Sequence, residues 1–110
     1  MPETAVSNQA SSLPNPEDMG KAIQTLGALA NEQRLFILCM LSQGAELTVG
    51  QLNEQLDLSQ SALSQHLKKL KDQGYVESRK DGLNVYYRIA KEDVIEIIGL
   101  LHKLYCEPNR

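Results

Sequence analysis

Apolar residues recur along the chain at helical spacing in five segments and at strand spacing in two. Pro16, followed by Glu17 and Asp18, suits a helix start, because anionic groups there complement the helix dipole. The first helix then runs to about Leu29, with Ile23, Leu26 and Leu29 on one stripe. Asn31 is a good N-cap for a second helix, Glu32 to Gln43, with Gly44 as its stop. That helix is almost wholly apolar from Leu35 to Leu41, which predicts a central position. Thr48 and Gln51 form a capping box that opens a short third helix, turning Leu52 and Leu56 inward. After the turn Asp57-Leu58-Ser59, Ser59 caps a fourth helix that Gly74 ends. Two β-prone segments follow, Tyr75 to Arg79 and Asn84 to Ile89, with Asp81-Gly82 at the tip between them. A last amphipathic helix covers Glu92 to Cys106, before Pro108. The order is α-α-α-α-β-β-α, with no internal repeat.

The fourth helix carries the strongest functional signal. At about 100° per residue, Leu63, Leu67 and Leu70 fall together and pack inward. Gln60, Ser61, Ser64, Gln65 and Lys68 form the opposite arc. Gln and Ser can reach base edges in a major groove, Gln bidentately to adenine, and Lys suits phosphate. The bland reading is a solvated face on an ordinary helix. The capped short helix in front and the basic hairpin behind favour a DNA-reading helix followed by a wing. Arg79 and Lys80, beside the hairpin tip, can touch flanking phosphates or the minor groove. His66 lies toward the buried side of the wheel and is expected to be packed. The fold expected is therefore mainly α with a β-hairpin wing, a winged helix-turn-helix.

The net charge of -3 fits a DNA binder poorly until it is resolved along the chain. From Ser59 to Ala90 six basic residues face three acidic ones, giving +3, and the remainder, five basic against eleven acidic, is -6. Positive charge gathers where the reading elements lie. At 110 residues the chain suits one domain, expected at 17–107. Residues 1–16, rich in Ser, Asn, Gln and Pro, are expected to be a disordered tail, and 108–110 a short C-terminal one. With neither a signal-peptide pattern nor a membrane-length apolar run, the expected location is the cytoplasm. An acid/base cluster, a phosphate-cradling Gly loop and a Cys-x-x-Cys pair are all missing, which argues against an enzyme and against a cofactor.

The two cysteines, Cys39 and Cys106, stay ambiguous on residues alone. Cys39 shares a helical face with Leu35, and free Cys is commonly a small buried hydrophobe. On the last helix Ile95, Gly99, His102 and Cys106 share one stripe.

Two stretches, Ala28-Leu29-Ala30-Asn31-Glu32-Gln33-Arg34-Leu35-Phe36-Ile37-Leu38 and Leu58-Ser59-Gln60-Ser61-Ala62-Leu63-Ser64-Gln65-His66-Leu67-Lys68-Lys69-Leu70, point further. With Gly74-Tyr75-Val76 and Val85-Tyr86-Tyr87-Arg88, they resemble the arsenic-repressor (ArsR/SmtB) family of bacterial winged-helix regulators. The resemblance implies a homodimer, paired through the first and last helices, that binds a palindromic double-stranded DNA operator and is released by an effector. The family's common metal ligands do not carry over. Thr48 and Gly50 stand where one group has a Cys-x-Cys pair, and neither supplies a thiolate. Where another group has Asp-x-His and His-x-x-Glu, this chain has Asp93-Val94-Ile95, then Cys106 and Asn109, which make no tetrahedral zinc site.

The remaining pattern, Leu38-Cys39-Met40-Leu41 with Leu104-Tyr105-Cys106, resembles a metal-independent dithiol subgroup of that family. Its equivalent thiols respond to reactive sulfur species, and in some members to peroxide. The resemblance implies that Cys39 and Cys106 form a disulfide or polysulfide bridge that releases DNA. His102, one turn before Cys106, either favours that thiolate or serves as a surface or dimer-contact residue. The competing readings are a general redox regulator, a metal-responsive one using Cys39, Cys106 and His102, and an activator that displaces a nucleoid protein.

Overall fold

The computed structural model describes residues 13, 15–43 and 46–106. The expected tails, other than positions 13, 15 and 16, and the expected stop at Gly44 lie outside the described residues. The elements are α1 (Pro16–Leu29), α2 (Glu32–Leu41), β1 (Leu47–Thr48), α3 (Val49–Gln55), α4 (Gln60–Asp72), β2 (Val76–Asp81), β3 (Asn84–Ile89) and α5 (Glu92–Tyr105).

Local chemistry accounts for most of the boundaries. Asn15 caps α1, its side chain accepting from the Asp18 amide at 2.8 Å, and Pro16 takes the first helical position, where it loses no hydrogen bond. Asn31 caps α2 in the same way, at 3.0 Å from the Arg34 amide. Arg34 reaches back to the Ala28 carbonyl at 2.9 Å and fastens the α1–α2 corner. The α2 helix stops at Leu41, short of the expected Gln43. The reason is Ser42, whose hydroxyl donates to the Cys39 carbonyl at 2.8 Å and takes the place of a continuing turn. Both halves of the Thr48/Gln51 capping box form at the start of α3. Gly74 ends α4 with φ of 84°, a left-handed conformation that costs a residue with a Cβ.

Leu47 and Thr48 form a short strand where none was expected. It pairs antiparallel with β3 at Tyr87 and Tyr86, so the sheet has three strands in the order β1-β3-β2. The hairpin strand also runs two residues past Arg79, to Asp81. The turn residues are therefore Gly82 and Leu83 rather than Asp81-Gly82. Positive φ at Gly82 alone is the pattern of a type II′ turn, whose twist suits a two-residue hairpin.

Helix α2 is central, as its apolar run requires. It packs against α1, α4, α5 and β3, and Ile37 and Leu38 are fully buried. Leu63, Leu67 and Leu70 of α4, Leu52 of α3 and Ile98 of α5 are fully buried in the same core. Burying each such side chain stabilises the fold by about 1.5–3 kcal/mol. The α1 stripe divides: Leu29 is buried, while Ile23 and Leu26 are exposed. No helix among the described residues is long and apolar enough to cross a membrane.

Candidate DNA-reading surface and thiol cleft

Helix α4 keeps its two faces apart in three dimensions. Gln60, Ser61, Ser64, Gln65 and Lys68 are all exposed, opposite the buried Leu63, Leu67 and Leu70. The polar face begins at the helix N-terminus, where Ser59 accepts from the Ala62 amide at 3.1 Å. Lys68 holds Asp72 one turn on at 2.8 Å, an exposed pair that a phosphate can replace at little cost. His66 is half-buried, as the wheel requires. Burial, and then the charges of Arg34 and Lys69, push its pKa down, so the imidazole is neutral at pH 7.

Register separates the two wing residues that the sequence set side by side. Successive strand residues point to opposite faces. Ser78 and Lys80 share the face of the buried Val76 and Ile89, and Lys71 of α4 donates to the Ser78 hydroxyl at 2.8 Å. Lys80, exposed, therefore stands on the α4 side of the wing. Arg79 stands on the other side with Tyr86, Glu77 and Arg88. There its guanidinium is gripped by Glu46, with Nε at 2.9 and 3.0 Å and Nη2 at 2.7 Å from the carboxylate oxygens, and it lies 4.7 Å from the centre of the Tyr86 ring. The hydrogen bonds between them, helped by the opposite charges, hold the Glu46 carboxyl below its ordinary range and the Arg79 guanidinium above its own. Arg88 pairs with Glu77 on the same face. Leu83, at the turn, is fully exposed.

Sequence reasoning missed Glu46, Lys71 and Leu83. Glu46 left no local signal, because its partner is remote in the chain. The alternation of strand side chains was enough to predict that Arg79 and Lys80 part company.

The two thiols come together. Cys39 is half-buried on α2, and Cys106, exposed, follows the last turn of α5. Both line one cleft of about 330 Å³ with Glu32, Leu35, Phe36 and His102. Burial pushes the Cys39 thiol pKa up, and the nearby Cys106 adds to that shift. His102 is one turn back, its carbonyl accepting from the Cys106 amide at 2.8 Å. No cluster of three or more His, Cys, Asp and Glu side chains suited to a metal ion occurs among the described residues. Thr48, at the position of a family metal ligand, commits its hydroxyl to the α3 cap.

Residues 31–78, from the α2 cap into the wing, match the family model for bacterial regulatory proteins of the arsR family. The transcriptional activator HlyU of Vibrio cholerae is 49% identical over 94 residues, covering 86% of each chain. A biofilm growth-associated repressor of Agrobacterium fabrum is 37% identical over 84 residues, covering 76% of this chain and 71% of its own. The solved structure of V. cholerae HlyU superposes with a TM-score of 0.81 at 48% identity, covering 84% of this chain and all of that one. The chain belongs to the ArsR family.

ArsR membership fixes the class: a transcriptional regulator with a winged-helix fold, and not an enzyme. ArsR regulators bind DNA and typically act as dimers. The two relatives carry opposite signs of control in their names, one an activator and one a repressor. Within the chain the ArsR match takes in Cys39 and the whole of α4, while α5 and Cys106 lie beyond it.

Proposed function

We propose that two copies of this chain bind a palindromic DNA operator, and that a bridge between Cys39 and Cys106 releases it, so that the protein acts as a dithiol-controlled repressor. The observation that carries the reading is that one cleft holds both thiols, on the helix at the centre of the core and at the end of the last helix. In the reduced dimer, Gln60, Ser61, Ser64 and Gln65 face base edges, Lys68 and Lys80 meet phosphate, and Arg79 leaves Glu46 for a flanking phosphate. Supporting the dimer are exposed apolar side chains on α1 (Met19, Ile23, Leu26) and α5 (Leu100, Leu104).

The bridge acts through α2, which packs on both α4 and α5. Tying Cys39 to Cys106 fixes α5 against α2, and in a dimer built on α5 that resets the spacing of the two reading helices. A tenfold loss of DNA affinity requires about 1.4 kcal/mol of difference between the two states, within the usual range of coupling energies. Cys106, exposed, is the thiol an oxidant meets first. Cys39, half-buried in the same cleft, closes the bridge as the second thiol. The effector is a reactive sulfur species, with peroxide or another thiol oxidant as the second reading.

The test begins with selection of duplexes from a random pool by the reduced protein. Two half-sites about one DNA turn apart are expected, with weaker binding by Gln60→Ala and Gln65→Ala at particular base pairs. Recovery of single, unpaired half-sites, or unchanged base preference in both variants, would overturn the reading.

A further inference from the structure

The thiol cleft differs in chemistry from the cavities beside the wing. Charged side chains, among them Glu46, Glu77 and Arg88, line those, whereas Leu35 and Phe36 stand in the wall around the thiols. Phe36 is 48% exposed, an aromatic ring left facing an open cleft rather than the core. Glu32 contributes the one carboxylate among the lining residues. An oxidant reaching the thiols therefore places whatever is attached to its sulfur against apolar carbon and beside a carboxylate.

We infer that this cleft selects its oxidant by the group R on the reacting sulfur, taking neutral apolar alkyl or aryl persulfides and disulfides and disfavouring anionic ones. The inference deepens the dithiol reading and rests on it. The chemistry is R–S–X, where X leaves as hydrosulfide from a persulfide or as thiolate from a disulfide. The Cys106 thiolate attacks the sulfur bearing R, giving Cys106–S–S–R and X⁻. The Cys39 thiolate then attacks the Cys106 sulfur, giving Cys39–S–S–Cys106 and RS⁻. Two thiols lose two electrons and two protons; R–S–X takes the electrons, and solvent takes the protons. Selection acts in the first step, while R is seated on Leu35 and Phe36.

The experiment uses full-length reduced protein with Cys39→Ser, which stops the reaction at the Cys106 adduct. The probes are methyl, butyl, 2-sulfonatoethyl and 2-trimethylammonioethyl methanethiosulfonates, for which X is methanesulfinate. Adduct formation is timed by intact mass, and each rate is divided by that of N-acetylcysteine with the same reagent. The normalised butyl rate should exceed the methyl rate, by up to about fourfold for each methylene that is buried. The sulfonate should be slowest, and Glu32→Gln should raise it about two- to fivefold relative to the butyl reagent. Phe36→Ala should erase the gain from chain length. Normalised rates that are equal across the series, or a sulfonate that reacts fastest, would overturn the inference.

Failure of the underlying switch is read separately, from DNA release by the bridged wild-type protein. Selectivity without release removes the switch and leaves the cleft's preference standing. Release without selectivity does the reverse.

Discussion

Ser59 caps the proposed reading helix, so two substitutions there separate helix stability from the proposed DNA contact. Its hydroxyl accepts from the Ala62 amide at 3.1 Å and is otherwise exposed at the start of α4. Ser59→Ala removes that acceptor and should cost about 1 kcal/mol. Because α4 carries the fully buried Leu63, Leu67 and Leu70, the loss is felt by the whole fold. For a domain of this size it corresponds to a fall in Tm of about 4–8 °C. Ser59→Asp keeps the acceptor and adds a charge that the helix dipole favours, so its Tm should stay close to wild type. In the proposed complex the same charge would face phosphate. At about 4 Å in a water-like medium it costs about 1 kcal/mol per reading helix, or about thirtyfold in affinity for a dimer. Thermal melts at fixed protein concentration and fluorescence anisotropy with a selected duplex measure the two effects. A Ser59→Asp protein as unstable as Ser59→Ala, or one that binds DNA as well as wild type, would refute the placement of this helix end against DNA.

Three further outcomes are expected. Glu46→Gln should spare Arg79 the break with Glu46 and raise DNA affinity about two- to fivefold per reading head; unchanged affinity would make the Glu46–Arg79 pair a brace for the wing alone. Gly74→Ala should cost about 1–2 kcal/mol in urea melts through its φ of 84° alone, since the added Cβ would meet only the flexible Lys91 side chain, Cε at 3.7 Å and Nζ at 4.0 Å, both ordinary contacts. Because the pKa of His66 is lowered on folding, the unfolded chain takes up the proton first. Stability should therefore be full above the ordinary imidazole value of about 6.5 and decline as pH falls through it, and His66→Gln should flatten that decline.

Helices α2, α3 and α4 were legible because each carries its own punctuation. Asn31, Thr48 with Gln51, and Ser59 mark starts, Gly74 marks a stop, and the Leu63-Leu67-Leu70 period shows which face of α4 is buried. What escaped was set by partners distant in sequence. Leu47 and Thr48 are a strand only because β3 lies alongside, and two residues are too few to show alternation. The grip of Glu46 on Arg79 likewise joins segments that only the fold brings together. The α1 stripe shows a different limit. A helical wheel says that Ile23, Leu26 and Leu29 share a side, but not how much of that side one chain covers. In the candidate site, the polar face of α4 was readable residue by residue. That Cys39 and Cys106 share a cleft required the packing of α5 on α2, which periodicity cannot supply.

In the proposed switch, bridging Cys39 to Cys106 governs hold on DNA. It is tested most directly by titrating the reduced dimer with a persulfide donor while recording, on the same samples, the bridged fraction by mass spectrometry and the DNA-bound fraction by anisotropy. DNA should be released in proportion to bridge formation, Cys39→Ser and Cys106→Ser proteins should stay bound, and a dithiol reductant should restore binding. Full bridging with DNA still held, or release from either single-cysteine variant, would contradict it.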